Sequence, residues 1–351
     1  MIAWPPKRAQ ASRSAVGRAG RAPTPAPPTR LALVIAAVIV GCAAPAPSAP
    51  ALTPGPRPSP SPSADGPAGS GLLLLATADD EAVLTLVKPT AETAALPLPH
   101  PSTMSVTPML GGTLVALLAD GRAFVAPSGQ AGLIAGARWR PLDLRWAGAL
   151  PRTSIIFGAT ASPDGRRLAA IARPPDAESP SALVVVEPAA GRGRVWQLAD
   201  ESTGVPPAWL DESSVAVVQR GRDGRTFLAV LAVATGEALD RIHVRALQFQ
   251  TSGDTRTAVV LGDESRLLVG PTADVLERRR VPDEGAAIRP GDVVRGGVAL
   301  DHDGRRLAAV VEDVAGVSRI ATFESVGDAW QPGVRIPAPS GSRGGWVSWL
   351  P

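Results

Sequence analysis

From about Gly71 to Pro351 the chain is written in short apolar strings of four to seven residues set between polar turns. Leu72–Ala76, Leu114–Leu118, Leu168–Ala172, Ala182–Val186, Val215–Val218, Phe227–Val233, Ala258–Leu261 and Leu307–Val311 are such strings, rich in valine, leucine and isoleucine. Asp-Gly, Ser-Gly, Gly-Asp and Thr-Gly pairs fall between them, the dipeptides that turn a chain tightly. Runs of this length at spacings of about ten residues predict β-strands and an all-β domain. Long stretches with a 3.6-residue apolar period and capping signals are missing, which argues against helical and α/β folds.

A longer period overlies the short one. A polar turn followed by an apolar strand recurs at Thr107–Asp120, Ala161–Arg173, Ala208–Arg220, Thr251–Asp263 and Leu300–Asp313. The two clearest copies, S-P-D-G-R-R-L-A-A-I-A (Ser162–Ala172) and D-H-D-G-R-R-L-A-A-V-V (Asp301–Val311), share D-G-R-R-L-A-A. A unit of about 40–50 residues holds four short strands, the size of one propeller blade. These residues resemble the repeat of TolB-type β-propellers and, more broadly, WD-repeat propellers. The resemblance implies an inner strand that ends in the S-P-D-G turn, followed by a second strand of small, apolar character. Ala182–Leu198 and Leu228–Ile242 then read as outer hairpins. The chain stops at G-G-W-V-S-W-L-P (Gly344–Pro351), where a repeat resembling P-A-W-L-D-E (Pro207–Glu212) has just begun. The missing continuation stands at the other end, in Ala64–Asp79. The last blade is therefore expected to be completed by the first strand of the domain, a closure that removes open sheet edges. Six blades are expected, or seven if Gly121–Thr160 hides a degenerate repeat.

The N-terminal part has a different texture. An apolar run, Leu31–Val40, ends just before the only cysteine, Cys42. As a helix it is about 15 Å long, where roughly 20 residues are needed to span a bilayer. It fits the apolar region of a signal peptide, about 7–15 residues. Lys7, Arg8, Arg13, Arg18, Arg21 and Arg30 precede it, with no acidic residue. Ile39-Val40-Gly41-Cys42 resembles the lipobox of bacterial lipoproteins. That resemblance implies cleavage before Cys42, a diacylglycerol on its sulfur and a tether to the outer face of a membrane, which two acyl chains hold firmly. An uncleaved anchor, an ordinary secretory signal cut elsewhere and a core helix are the alternatives. The expected organisation is a signal peptide over 1–41, a disordered linker rich in Pro, Ala and Ser over 42–70, and a propeller over 71–351. The linker reaches up to roughly 90 Å if extended. One cysteine excludes an intrachain disulfide framework.

Charge changes under this organisation. The chain has 35 basic and 32 acidic residues and a pI of about 9.9. Removing the six basic residues of 1–41 leaves 29 against 32, a net charge of −3. Nucleic acid loses its electrostatic footprint and is not an expected partner. Hydrophobic residues, 45% of the chain, suffice for a core. Aromatic residues are 4% with no tyrosine, which counts modestly against carbohydrate and peptide grooves, and eight tryptophans supply most of the aromatic surface.

Trp139, Trp146, Trp209, Trp346 and Trp349 are the candidate partner-binding residues: they either pack between blades or face the axial opening. His100, His243 and His302 do not stand at metal-ligand spacing. Asp301-His302-Asp303-Gly304 has the look of a cation loop, but the fifth position is Arg305, so it reads as a tight turn. No G-x-S-x-G elbow is present, and the glycine-rich Gly191–Arg194 and Gly221–Arg225 read as hairpin turns between strands. No catalytic residue, metal or cofactor is expected. The favoured reading is an exported, lipid-anchored propeller that acts as a noncatalytic binding or scaffold module at the cell envelope. Its partners would be the membrane, through Cys42, and an envelope protein or other extracytoplasmic ligand. A propeller hydrolase or lyase with an axial-channel site is one alternative, and an accessory or sensor subunit of an envelope transport complex is another.

Overall fold

The structure, a computed structural model, describes residues 71–78, 81–88, 90–128, 138–150, 155–174, 180–263, 266–327, 329–342 and 344–350. The expected signal peptide with Ile39, Val40 and Gly41, the lipidation site Cys42 and the 42–70 linker lie outside the described residues. Among the described residues no helix is long and apolar enough to cross a membrane.

Six antiparallel sheets follow one another along the chain. Strands β1 (Leu72–Ala78), β2 (Glu81–Val87) and β3 (Thr93–Leu96) belong to sheet I. Sheet II holds β4 (Thr103–Met109), β5 (Thr113–Leu118), β6 (Ala123–Pro127) and β7 (Arg140–Leu142). A short strand β8 (Arg145–Ala147) then runs parallel to the outer edge of sheet III, whose own strands are β9 (Ile155–Ala161), β10 (Leu168–Arg173), β11 (Ala182–Glu187) and β12 (Arg192–Gln197). In sheet IV the innermost strand is split into β13 (Glu201–Ser202) and β14 (Ala208–Trp209), followed by β15 (Ser214–Arg220), β16 (Thr226–Ala232) and β17 (Ala238–Ile242). Sheet V contains β18 (Gln248–Thr251), β19 (Thr257–Asp263), β20 (Arg266–Pro271), a single short helix α1 (Thr272–Leu276) and β21 (Gly285–Ala287). Sheet VI contains β22 (Val293–Leu300), β23 (Arg306–Glu312), β24 (Ser318–Val326) and β25 (Ala329–Pro337). The last strand, β26 (Trp346–Trp349), returns to sheet I as its innermost strand.

The apolar strings are continuous rather than alternating because the second strand of each sheet is buried on both faces. In β10, Leu168, Ala170 and Ala172 join a core shared with Val115 and Leu117 of sheet II. Ala169 and Ile171 point the other way, into a core shared with Val215 and Val217 of sheet IV. The same division holds at every boundary, giving six cores between six sheets. The sixth, where Leu72 and Leu74 meet Ala308 and Val310, joins sheet VI to sheet I and closes the ring. The fold is a six-bladed β-propeller.

Closure occurs as the sequence predicts. Strand β26 pairs antiparallel with β1 in the register Leu72↔Trp349 to Leu75↔Trp346, and the Leu350 amide donates to the Gly71 carbonyl at 2.9 Å. The seven-blade alternative is corrected. The segment Gly121–Thr160 supplies β6 and β7 to sheet II, β8 as a fifth strand on sheet III, and most of β9, not a separate blade.

Candidate functional site

The inner strands of all six sheets end around one cavity of about 540 Å³ on the propeller axis. The turns that follow these strands form its rim. In the Ser162 copy, the Ser162 hydroxyl donates to Asp164 Oδ1 at 2.5 Å and accepts the Arg167 N–H at 2.9 Å, while Asp164 Oδ1 also accepts the Arg166 N–H at 3.0 Å. Ser252, Asp254, Arg256 and Thr257 repeat this arrangement in sheet V, so the faintest copy in sequence has the same turn as the strongest. In sheet VI an aspartate replaces the serine. Asp301 Oδ1 accepts the N–H groups of Arg305 and Arg306 at 2.8 and 2.9 Å, and Oδ2 accepts Arg306 Nε at 2.7 Å. Asp301 is 3% exposed. With both oxygens engaged, the D-H-D-G segment is a turn. Gly253 has no room for a Cβ, which would stand 2.3 Å from His302 Nδ1, and this close approach packs the turns of sheets V and VI together.

The turn carboxylates are tuned by these bonds. Partial burial pushes Asp164 up, but hydrogen bonds from the Ser162 hydroxyl and the Arg166 amide, with the charges of Arg167 and Arg166, hold it below its ordinary value. Asp211, after β14, is likewise raised by burial and lowered further by the Ser213 hydroxyl, the Ser213 amide and Ser214.

A partial ring of side-chain bonds ties the inner strands together from sheet II round to sheet I. Thr107 Oγ1 donates to Ala159 O at 3.0 Å, Thr160 Oγ1 to Pro207 O at 2.6 Å, Thr251 Oγ1 to Trp209 O at 2.7 Å, Gln250 Nε2 to Pro206 O at 2.9 Å and Gln248 Nε2 to Gly296 O at 2.7 Å. Two tryptophans belong to this ring. Trp209 Nε1 donates to Thr160 O at 2.9 Å, and Trp349 Nε1 donates to Ala299 O at 3.1 Å. Each indole also lies under an arginine of the preceding blade: Arg167 is 5.5 Å from the Trp209 ring centroid and Arg306 is 4.6 Å from that of Trp349. Arg167 and Arg306 are the second arginines of the two D-G-R-R copies. The repeated motif thus staples a blade to the next one, at two seams on opposite sides of the ring.

The five candidate tryptophans separate by position. Trp209, Trp346 and Trp349 line the cavity, and Trp209 and Trp349 do so as staples. Trp139 and Trp146 stand away from it, at the outer strands. Trp139 packs on the core between sheets I and II and donates to Pro97 O at 2.8 Å, and Trp146 packs over Gly193 in the core between sheets II and III. His100 accepts the Ser102 amide in a loop, and His243 is exposed on the edge after β17.

Trp346 is the residue whose role the sequence hid. A Cβ on Gly297 of sheet VI would stand 2.6 Å from its ring, and one on Gly158 of sheet III would stand 3.1 Å from it. Sheets III and VI face each other across the ring, so the indole lies across the axis and floors the cavity. Pro206 abuts the same glycine, Gly158. The titratable side chains that line the cavity are Asp301, His302, Asp303, Arg305, Arg306 and Glu324, all from sheet VI. Among the described residues, no three His, Cys, Asp or Glu residues are placed to hold a metal ion.

No protein-family model matches this chain. No curated protein sequence matches it either. Its fold has solved counterparts. TolB from Acinetobacter baumannii superposes with a TM-score of 0.55 at 8% identity, over 80% of this chain and 67% of that one. A putative TolB from Agrobacterium tumefaciens gives 0.49 at 14% identity, over 81% and 99%. The periplasmic gluconolactonase of Pseudomonas aeruginosa gives 0.48 at 16%, over 77% and 83%. Identities this low speak for the fold alone. The described part of the chain is a six-bladed β-propeller with the fold of TolB-type propellers.

Proposed function

We propose that the protein is a noncatalytic binding module, exported and held to the membrane by lipid on Cys42, which takes an envelope protein or other extracytoplasmic ligand at the axial cavity. The observation that carries this reading is the lining. Six blades converge neutral and apolar groups on one opening, whereas every titratable lining side chain comes from a single blade, with Asp301 already spent on its turn. A hydrolase or lyase needs acid, base or nucleophilic groups free to reach the reacting atoms, whereas Asp301 is held by Arg305 and Arg306. The address rests on Ile39-Val40-Gly41-Cys42 and the short apolar run before it.

Two variants of the full chain test the two halves. Native protein should have the mass of the chain from Cys42 plus acyl groups, and Cys42→Ala should leave the membrane fraction. A full-length unacylated chain overturns the address. Leu110, 39% exposed, is an apolar rim residue of the cavity. Leu110→Glu should abolish cross-links to envelope components in cells while thermal unfolding is unchanged. Cross-links that persist unaltered overturn the assignment of the cavity as the binding site.

A further inference from the structure

The cavity is a cup rather than a tunnel, because Trp346 closes it between Gly158 and Gly297. Trp139, Trp209 and Trp349 spend their indole N–H groups on the carbonyls of Pro97, Thr160 and Ala299. Among the described residues, the Trp346 N–H has no such partner, and neither does the hydroxyl of Ser348, two residues along the same strand and hence on the same side of it. The cup therefore offers an aromatic face, an unspent donor and an unspent hydroxyl.

We infer that the cup receives a compact, uncharged, hydroxylated ring compound of sugar size, which stacks on Trp346 and accepts its indole N–H. This rests on the reading of the cavity as the binding site. The size fits, since small-molecule pockets span about 300–1,000 Å³ and this one is about 540 Å³. The charge fits as well. Ser105, Thr107, Thr160 and Gln250 line the cup with neutral groups, while on the charged side Arg306 is paired with Asp301 and Arg305 with Asp303, so a charged ligand group set among the neutral ones would lose its hydration for counter-ions already engaged. The scarcity of aromatics in the chain is no obstacle to one ring, because a single indole on the axis suffices as a platform. The apolar rim, Leu110 and Pro163, suits the C–H faces of such a ring. A peptide threading through the propeller is stopped by the indole.

The test is calorimetric titration of the full chain with glucose, N-acetylglucosamine and maltose, beside the charged congeners glucuronate and glucosamine. At least one neutral sugar should bind, and the charged congeners should bind more weakly. Trp346→Phe keeps a stacking ring and removes the donor, so the dissociation constant should rise about three- to tenfold, the worth of one hydrogen bond. Trp139→Phe, at the outer strands away from the cavity, should leave sugar affinity unchanged. The inference is overturned if no neutral sugar binds, if a charged congener binds more tightly, or if Trp346→Phe binds like wild type. Absence of sugar binding together with Leu110-dependent cross-links would overturn this inference and leave the envelope-partner reading standing. Absence of both would remove the two together.

Discussion

Replacing Trp349 with phenylalanine probes the seam between sheets VI and I, beside the strand that closes the ring. The substitution leaves the Ala299 carbonyl without its 3.1 Å donor, a loss of about 1 kcal/mol. It also weakens the contact with Arg306, 4.6 Å from the ring centroid, by about 0.5–1 kcal/mol, since indole is the best aromatic partner for a cation. The expected cost is thus about 1.5–2 kcal/mol, or a fall in Tm of roughly 3–8 °C for a domain of this size. Arg306→Gln removes the same contact and takes Nε away from the buried Asp301, so it should cost about 2 kcal/mol or more. The pair should be non-additive, with a coupling energy of about 0.5–1 kcal/mol measured by urea unfolding of wild type, both single variants and the double variant. The equivalent cycle at Arg167 and Trp209 is an internal control. Its cation lies farther from its ring, at 5.5 Å, and its coupling should be the smaller of the two. A coupling within about 0.3 kcal/mol of zero at the closure seam would refute the staple.

Three further outcomes follow from the geometry. Deletion of 346–351 removes β26 and its four register pairs with β1, exposing the core where Val347 meets Val310, so the propeller should lose its cooperative melting transition; an unchanged calorimetric trace would contradict ring closure by this strand. Gly297→Ala places a methyl 2.6 Å from the Trp346 ring, which should cost about 1–3 kcal/mol as an overpacked site and shift the tryptophan emission; wild-type stability and spectrum would show that the indole does not lie there. Asp211 is held below its ordinary value in the folded state, so the unfolded chain binds its proton more tightly, and the stability it contributes is present above about pH 4 and lost as the pH falls through its folded value. Asp211→Asn should therefore flatten the acid limb of a stability–pH curve measured between pH 2 and 5, and an unaltered limb would assign that limb to other carboxylates.

The blades were legible because each is built from local signals. An apolar string buried on both faces and a serine or aspartate turn are complete within a dozen residues, and they recur because every blade solves the same packing problem. Even closure could be read, since Ser348-Trp349-Leu350 repeats Ala208-Trp209-Leu210 and lacks only the strand that Leu72 begins. The fifth strand on sheet III could not be read. Arg145–Ala147 joins β12 in parallel, and nothing in three residues specifies an edge reached through a crossover. The staples left a faint trace: Arg167 precedes Trp209 by nearly the same interval that separates Arg306 from Trp349, about one blade, although neither residue announces the other locally.

The cavity is illegible for the opposite reason. Every blade contributes to it from a different part of the chain, so no segment carries a site motif, and the floor depends on three residues, Gly158, Gly297 and Trp346, that only the closed ring assembles. What marks these positions in sequence is departure from the repeat. Sheet IV breaks its inner strand at Val205-Pro206-Pro207, where prolines cannot donate to the ladder, and this break brings Pro206 against Gly158 at the floor. Sheet VI puts Asp301 where sheets III and V have Ser162 and Ser252, and it alone carries the titratable lining. Sheet I places an indole, Trp346, where sheets III and VI leave the axis to Gly158 and Gly297. A regular repeat makes a symmetric ring with an open channel. The irregular copies turn that channel into a cup with one aromatic floor and one charged side, which is the asymmetry a specific ligand requires.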